Sequence, residues 1–362
     1  MQTTLKLSVL GVALATASGM ALAQGQVNIY NWSDYVAEDT ISNFEERYGI
    51  TVSYDVYDSN EVLEAVVLAG SSGYDVVVPT GSNMARQIEA GAYQRLDRSQ
   101  IPNWDNLDPA LLATLETYDP GNLYSVPYQW GTTGVGYNVQ MVEEILGDDA
   151  PIGSWDLVFD PEIVSQLAEC GVAFLDSGDE MLPLAMHYLG LDPNSHDTAD
   201  INAARDLLVE VAPHLTYLHS SRYISDLANG EICVAIGWSG DVYMARWRAE
   251  EAGRDYDIRY YIPVEGTIAW SDMMVIPADA PNPENAHKFI NYILDPQVSA
   301  DLSNYVWYGN PNLAAREFLD EDLLNDPGVF PDESAELFTM QVRPPAVERV
   351  VTRAWNAVRT AN

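Results

Sequence analysis

The chain contains 362 residues, of which 47% are hydrophobic and 20% are charged, so its composition is that of a folded protein and not of a disordered one. Its 17 basic and 54 acidic residues give a formal net charge of −37, which argues against nucleic acid and anionic membranes as partners. Two compatible interpretations of this acidity are adaptation to high external salt, which screens surface charge, and attraction of a cationic ligand.

The first 23 residues have the pattern of a secretory signal peptide. Lys6 precedes the apolar run LSVLGVALATASGM, and the small residues ALA at 21–23 precede Gln24. The run is rich in small residues and shorter than a membrane-spanning helix, which needs about 20 apolar residues. We therefore expect cleavage near Ala23 and export of the remaining chain.

Strand-like and helical segments alternate in the first part of the exported chain. VNIYNW is followed by the helical segment DTISNFEERYG, in which Asp39 is a candidate N-cap and Gly49 a candidate C-terminal glycine. TVSYDVY then leads to NEVLEAVVLAG, and DVVVPT leads to NMARQIEAG. This order predicts an α/β domain with a largely parallel sheet. The connections at 32–35, 57–60 and 79–83 should meet at the carboxyl edge of that sheet, where open α/β folds bind ligands.

A second alternation begins near residue 150, with WDLVFDPEIVSQLAECG, VAFLDSGDE, DINAARDLLVEVAPHL and ICVAIGWSGD in that order. Together with the length of the chain, the two series of elements predict two lobes. Two long, extended segments that contain glycine, at 124–138 and 258–270, lie where the two series meet. They are expected to be paired strands that cross between the lobes and act as a hinge.

Motifs for catalysis and cofactor binding are weak in this chain. GTTGVG (131–136) has the glycine spacing of a dinucleotide motif in reverse, and GWSGD (237–241) is one residue short of a nucleophile elbow, so Ser239 is not expected to be a nucleophile. The histidines form no i, i+4 pair and no cluster, so neither a metal nor another cofactor is expected. In an exported protein the two cysteines, Cys170 and Cys233, are expected to form a disulfide; a reduced buried pair is the alternative.

Aromatic residues recur beside carboxylates at the expected strand ends. The groups are Trp32 with Asp34 and Tyr35, Phe174 with Asp176, Asp179 and Glu180, Trp238 with Asp241, and Trp270 with Asp272. Each group alone has a second explanation, a packed ring beside a helix cap, and Asp241 in particular could cap a helix over 242–252. Together they favour an organic cation, because each ring face attracts an ammonium by ~0.5–2 kcal/mol and carboxylates hydrogen-bond it. A diamine, charged at both ends, fits such a site.

Long segments of the chain resemble the periplasmic polyamine-binding proteins of ABC importers, most closely the putrescine-binding branch. They include YNWSDY, YDVYDSNEVLEA, YDVVVP, CGVAFLD and DLANGEICVAIGWSGDV. The resemblance implies an α/β, two-lobe type II periplasmic binding protein fold with a central ligand cleft and a strand hinge. One lobe would comprise 26–131 with 268–310, and the other 132–267 with 311–362. It also implies a non-enzymatic periplasmic monomer that binds putrescine or spermidine and delivers it to a cognate ABC permease in the inner membrane.

The resemblance also implies ligand-binding residues, position by position. They are Trp32, Ser33, Asp34, Tyr35, Thr80, Glu180, Trp238, Asp241, Trp270, Asp272 and Tyr308. The carboxylates of this set would meet the ammonium groups, and the rings would enclose the methylene chain. The family also carries a cysteine pair that matches the two cysteines of this chain.

The preferred amine is left open by the sequence. Trp270 stands where spermidine-preferring relatives tend to have tryptophan and putrescine-preferring ones phenylalanine, whereas the Ser-Asp pair at 33–34 resembles the putrescine type. Ser177 and Met340 stand where some spermidine binders have an aspartate and a glutamine. Asp179 is a candidate replacement for that aspartate.

Three other functions are compatible with parts of this pattern. An exported hydrolase could use paired carboxylates such as Glu180 with Asp241, although no nucleophile or base arrangement supports it. A receptor subunit could bind a polyamine or another organic cation and signal to a membrane sensor. A binding protein for an α-amino acid would need an arginine for the ligand's carboxylate, and the candidate cleft motifs contain none.

Overall fold

A computed structural model of the protein describes residues 25–362, so the predicted signal peptide at 1–23 lies outside the described residues. The strands are β1 (Gln26–Trp32), β2 (Thr51–Tyr57), β3 (Val76–Val77), β4 (Ser125–Asn138), β5 (Val172–Phe174), β6 (Tyr217–Leu218), β7 (Val234–Trp238), β8 (Ile258–Tyr261), β9 (Thr267–Val275) and β10 (Leu337–Phe338).

The helices alternate with these strands along most of the chain. They are α1 (Thr40–Tyr48), α2 (Asn60–Ala69), α3 (Gly81–Glu89), α4 (Pro109–Leu115), α5 (Val139–Leu146), α6 (Asp156–Phe159), α7 (Pro161–Leu167), α8 (Gly178–Tyr188), α9 (Thr198–Val211), α10 (Arg222–Asn229), α11 (Ser239–Glu251), α12 (Pro283–Ile293), α13 (Pro296–Val306), α14 (Glu321–Asn325) and α15 (Pro345–Ala361). Between residues 25 and 362, no helix combines the length and apolar character needed to cross a bilayer.

The first strands form the predicted parallel arrangement. β1 pairs in parallel with β2, with Trp32 opposite Tyr57, and pairs in parallel with β3 on its other side. Helix α1 begins after Asp39, whose side chain makes no capping hydrogen bond, and ends at Gly49, whose φ of 65° is a left-handed conformation that glycine adopts easily. Because the strands are parallel, their carboxyl ends meet at one edge of the sheet, as expected.

Strand β4 connects the two halves of one continuous sheet. The order of strands is β2-β1-β3-β9-β4-β7-β5-β6, with β8 paired to β4 and β10 paired to β9. Residues 125–132 of β4 pair with β9, whereas residues 133–138 pair with β7 and β8. The predicted crossing strand is therefore confirmed. The second predicted crossing strand, at 258–270, is not one strand. It forms β8, which ends at Tyr261, and the start of β9, and a turn that contains Pro263 and Gly266 separates them.

The two halves of the sheet have separate hydrophobic cores. One packs against β1, β3 and β9 and contains the fully buried Phe44, and the other packs against β5 and β7 and contains the fully buried Trp155. β4 supplies Val126 to the first core and Val135 to the second. The protein therefore has two lobes that share a crossing strand, and each lobe buries its own core.

The two cysteines form the expected disulfide. Cys170 lies in the turn after α7, and Cys233 immediately precedes β7. Their Cα atoms are 5.5 Å apart, which is within the usual range for a disulfide. Since β5 and β7 pair directly beside the bridge, the disulfide connects α7 to the neighbouring part of the same core.

Candidate functional site

A cavity lies between the two lobes, beside the crossing of β4 and β9. It encloses about 720 Å³ of space, part of which is open to solvent. Its walls include the segment after β1, the first turns of α3, α8 and α11, and the middle of β9. The structure brings these predicted residues together in its lining: Trp32, Ser33, Tyr35, Thr80, Glu180, Trp238, Asp241, Trp270, Asp272 and Tyr308.

Five of these residues form a continuous aromatic wall. The ring centroids are 5.4 Å apart for Trp32 and Trp238, 6.5 Å for Trp238 and Trp270, 5.4 Å for Trp270 and Tyr308, and 5.1 Å for Tyr308 and Tyr35. All four contacts are edge-to-face, a geometry that aromatic pairs favour. The wall combines the end of β1 in one lobe with the end of β7 in the other, so it spans the cleft.

Asp241 lies in the first turn of α11, where two tyrosines hold its carboxylate. The Tyr308 hydroxyl donates to Oδ1 at 2.6 Å, and the Tyr223 hydroxyl donates to Oδ2 at 2.7 Å. The helix begins at Ser239, so the alternative that Asp241 caps a helix over 242–252 is wrong. Asp241 is only 5% exposed, and both of these side-chain donors are neutral.

Asp272 and Glu180 have surroundings of the same type. Asp272 lies inside β9 and not at a strand end as predicted, and the Thr80 hydroxyl donates to its Oδ1 at 2.7 Å. Glu180 accepts hydrogen bonds from the Thr133 hydroxyl at 2.5 Å and from the indole N–H of Trp238 at 3.1 Å. Neutral groups therefore hold both carboxylates in place without cancelling their charge.

Burial raises the pKa of all three carboxyls. The pKa of Asp241 and that of Asp272 each rise to about 7, because burial disfavours the charged form by more than the hydroxyl donors favour it. Burial likewise raises the pKa of Glu180. Among residues 25–362, those that line the cavity include no lysine, arginine or histidine. A cationic ligand would therefore supply the positive charge that this group of carboxylates lacks.

Residues 39–331 match the family model described as bacterial extracellular solute-binding protein. The protein belongs to this family. The putrescine-binding periplasmic protein SpuD of Pseudomonas aeruginosa is 49% identical over 98% of each chain, and the putrescine-binding periplasmic protein PotF of Escherichia coli is 48% identical over 97% of this chain and 96% of that one. The expected resemblance is thus confirmed, and the names of both relatives describe binding proteins, not enzymes.

The fold of this solute-binding protein also matches solved structures. The spermidine/putrescine ABC transporter substrate-binding protein PotD of Streptococcus pneumoniae superimposes with a TM-score of 0.74 at 28% identity, over 93% of this chain and 99% of that one. The expected two-lobe α/β architecture is therefore confirmed at the level of the whole described chain.

One predicted ligand-binding residue of the solute-binding protein lies outside the cavity lining. Asp34 follows β1 with a φ of 55°, and its Oδ1 lies 2.6 Å from Nη2 of Arg248 on α11. Both side chains are 37% exposed. The structure thus places Asp34 in an ion pair between the lobes and does not bring it to the cavity.

The three secondary candidates all line the cavity. Ser177 is the N-cap residue of α8 and makes no capping hydrogen bond through its side chain. The backbone carbonyl of Met340 accepts a hydrogen bond from the Tyr118 hydroxyl at 2.6 Å, which joins the two lobes. Asp179 differs from the other lining carboxylates because it pairs with Arg343.

Sequence analysis missed several lining residues, which are Asn60, Gly81, Ser82, Asn83, Tyr118, Ile268, Ala269 and Ser271. The first four lie in the connections at 57–60 and 79–83 that we expected at the sheet edge, so their position could have been inferred. The residues of β9 flank Trp270 and Asp272 and could have been inferred from them. Tyr118 follows α4 and reaches the cavity only through the tertiary fold, and no sequence pattern marks it.

Proposed function

We propose that this protein captures a polyamine, putrescine or spermidine, in the cleft between its lobes and delivers it to an ABC permease. The observation that carries the proposal is the group of two buried carboxylates, Asp241 and Asp272, and the half-buried Glu180, which no cationic residue of the described cavity lining neutralises. An organic dication supplies two positive charges, and each primary ammonium adds three N–H donors.

The aromatic wall supports a ligand with methylenes between its charges. Rings remove an aliphatic chain from water, and each ring face near an ammonium adds ~0.5–2 kcal/mol. A micromolar dissociation constant requires about 8 kcal/mol in total. A few charge-assisted contacts and ring contacts reach that value, whereas an α-amino acid would leave its carboxylate among acids and without an arginine.

Contacts between the lobes support a capture mechanism that involves closure. The Asp34–Arg248 ion pair and the Tyr118–Met340 hydrogen bond both join residues of different lobes, so they form only when the lobes approach each other. A ligand favours this arrangement to the extent that it binds the closed form more tightly than the open one. The periplasmic relatives, the leader pattern at 1–23 and the disulfide support a periplasmic location.

Isothermal titration calorimetry of ligand-stripped, refolded protein with putrescine and spermidine tests this proposal. We expect saturable binding of at least one of them, and no binding of 1,4-butanediol, which keeps the methylenes but lacks the charges. Asp241→Asn and Asp272→Asn should each weaken polyamine binding by about 100-fold or more, because a buried charge-assisted contact is lost.

Asp148→Asn is the matched control, because it makes the same change in net charge at an exposed position outside the cavity lining. It should bind polyamines like the parent. If the parent binds neither polyamine, or if both cavity variants bind like the parent, the proposed function is wrong.

A further inference from the structure

Besides Glu180, Asp241 and Asp272, the protein has a second group of charged side chains at the cavity. It lies beside the part of the lining that contains Asn83, Tyr118 and Met340. This arginine–carboxylate cluster comprises Asp179, Arg343, Arg86 and Glu348. Arg343 Nη2 donates to Oδ1 of Asp179, and Arg343 Nε lies 2.9 Å from Oε1 of Glu348. Arg86 Nη1 lies 2.7 Å from the same Glu348 oxygen, and its Nη2 lies 3.8 Å from Oδ2 of Asp179. Arg86 Nη2 also lies 3.5 Å from Oε2 of Glu64, so the two guanidiniums are shared among three carboxylates.

The cluster joins the two lobes. Arg86 is on α3 of the first lobe. Asp179 on α8 and Glu348 on α15 belong to the second lobe, in which α8 and α15 pack together. Arg343 is only 8% exposed, so its ion pairs are screened little by solvent. The two arginines stand behind Asp179 and do not themselves line the cavity.

Asp179 therefore differs chemically from the other three carboxylates of the cavity. Its Oδ1 is held by Arg343, and its Oδ2 accepts a hydrogen bond from Asn83 Nδ2 at 3.0 Å. Burial acts to raise the pKa of Asp179, but the guanidiniums of Arg343 and Arg86 outweigh burial and leave that pKa below its usual value. This carboxylate therefore favours its charged form, and Arg343 already pairs with it.

The other acidic residues of the described lining are Glu180, Asp241 and Asp272. Glu180 lies close enough to Asp272 for its charge to raise the pKa of Asp272, so these two carboxylates share one end of a diamine and Asp241 serves the other. The neighbouring Ser177 contributes only a hydroxyl. An ammonium placed beside Asp179 would have to compete with the Arg343 guanidinium that already binds its Oδ1.

We propose that Arg343 and Arg86 are specificity-determining residues of this cleft. By occupying Asp179, they remove the carboxylate that a third ammonium would need, so the cleft prefers a diamine to a longer triamine although Trp270 is present. The inference rests on the proposed function, because it concerns which polyamine the same cavity accepts. It assigns the choice to two arginines that do not themselves line the cavity.

Calorimetric titrations with putrescine and spermidine under one set of salt conditions test this inference. The readout is the ratio of the two dissociation constants, spermidine over putrescine. The parent should prefer putrescine. Arg343→Gln and Arg86→Gln, made separately, should each lower the ratio about tenfold or more, because each frees part of the Asp179 charge. Arg86 is less buried than Arg343, so Arg86→Gln keeps the test available if Arg343→Gln does not fold.

Two further variants separate this mechanism from a general effect on closure. Adding Asp179→Asn to Arg343→Gln, or to Arg86→Gln, should restore the parent ratio, because the freed carboxylate is then absent. Arg248→Gln removes an ion pair between the lobes that lies outside this cluster and does not touch Asp179. It should change both dissociation constants by the same factor and leave their ratio unaltered.

A parent that prefers spermidine, or a ratio that does not respond in the folded arginine variants, would overturn the inference. So would a lowered ratio that persists after Asp179→Asn. In each case binding of a polyamine by the parent would leave the proposed function intact. A parent that binds neither amine would instead overturn the proposed function and the inference with it.

Discussion

The Tyr308 hydroxyl donates a 2.6 Å hydrogen bond to Oδ1 of Asp241, although 67 positions separate the two residues in the chain. Tyr308 follows α13, which packs on the first lobe, whereas Asp241 lies in the first turn of α11 of the second. The same tyrosine ring contacts both Trp270 and Tyr35. One side chain thus orients a candidate ligand-binding carboxylate and belongs to the aromatic wall.

Tyr308→Phe separates these two roles, because it keeps the ring and removes the hydroxyl. A hydrogen bond to a charged group contributes ~1.5–3 kcal/mol, so we expect putrescine binding at neutral pH to weaken by about tenfold or more. Calorimetry measures the change, and Tyr305→Phe, at a 42% exposed tyrosine outside the cavity lining, is the control. Unchanged affinity in Tyr308→Phe would show that the hydroxyl does not prepare Asp241 for the ligand.

Polyamine binding should weaken as the pH falls below about 7. In the ligand-free protein the pKa of Asp241 and that of Asp272 are raised by burial to about 7, so both carboxyls gain protons between pH 7 and pH 5. An ammonium binds the ionised forms, and the bound cation lowers both pKa values. Binding near pH 6 should therefore release protons. Calorimetry in two buffers of different ionisation enthalpy counts these protons; a count of zero would contradict the prediction.

The same two carboxyls should make the ligand-free protein less stable as the pH rises. Their folded pKa values lie above the ordinary value of 3.8, so between those limits the folded state binds more protons than the unfolded state. Their contribution to the free energy of unfolding then falls as the pH increases from 4 to 8. Asp241→Asn/Asp272→Asn should flatten this part of the profile. Denaturant unfolding of ligand-free protein at several pH values measures the difference between parent and variant.

The Asp34–Arg248 ion pair should make a small contribution to closure that depends on salt. Both side chains are 37% exposed, and ion pairs at such positions typically contribute ~0.2–1 kcal/mol. Asp34→Asn should therefore weaken putrescine binding by no more than about fivefold at low salt and have no effect at 1 M salt. Titrations at the two salt concentrations check this. A loss of 100-fold would instead indicate direct contact between Asp34 and the ligand.

Removal of the disulfide should lower stability and leave binding intact. The bridge joins residues 63 positions apart, for which the chain-entropy model gives about 4 kcal/mol. We expect Cys170→Ser/Cys233→Ser to lose a free energy of unfolding of that order in a denaturant titration. Neither cysteine lines the cavity, so the folded variant should bind putrescine like the parent. A folded variant with weakened binding would connect the bridge to the site.

Local pattern was sufficient for much of the fold and for part of the site. The alternation of strand and helix predicted β1, β2 and β3 with their helices, and parallel pairing necessarily brings strand ends to one edge. That rule predicts the cavity positions of Trp32, Thr80 and Trp238, because each lies at or shortly after the end of a strand with a parallel neighbour. The glycine-containing segment at 124–138 likewise predicted a crossing strand, because it is too long and too extended to belong to one lobe alone.

Other contacts depend on chain reversals that no local pattern encodes. Asp272 was expected at a strand end, yet it reaches the cavity from the middle of β9, because β9 runs antiparallel beside β3 and β4 and passes next to Thr80. Asp34 was expected at the ligand, yet a positive φ and a nearby arginine of the other lobe hold it in an ion pair.

The sequence by itself determined the two series of elements, the aromatic and acidic side chains available for the site, and the family. Only the tertiary structure decided which carboxylates have an arginine beside them. Arg86, Asp179 and Arg343 are far apart in the chain and meet when the two lobes and the C-terminal segment pack together. Compensation of a buried charge depends on distances of a few ångströms in space, and such distances are a property of the folded chain.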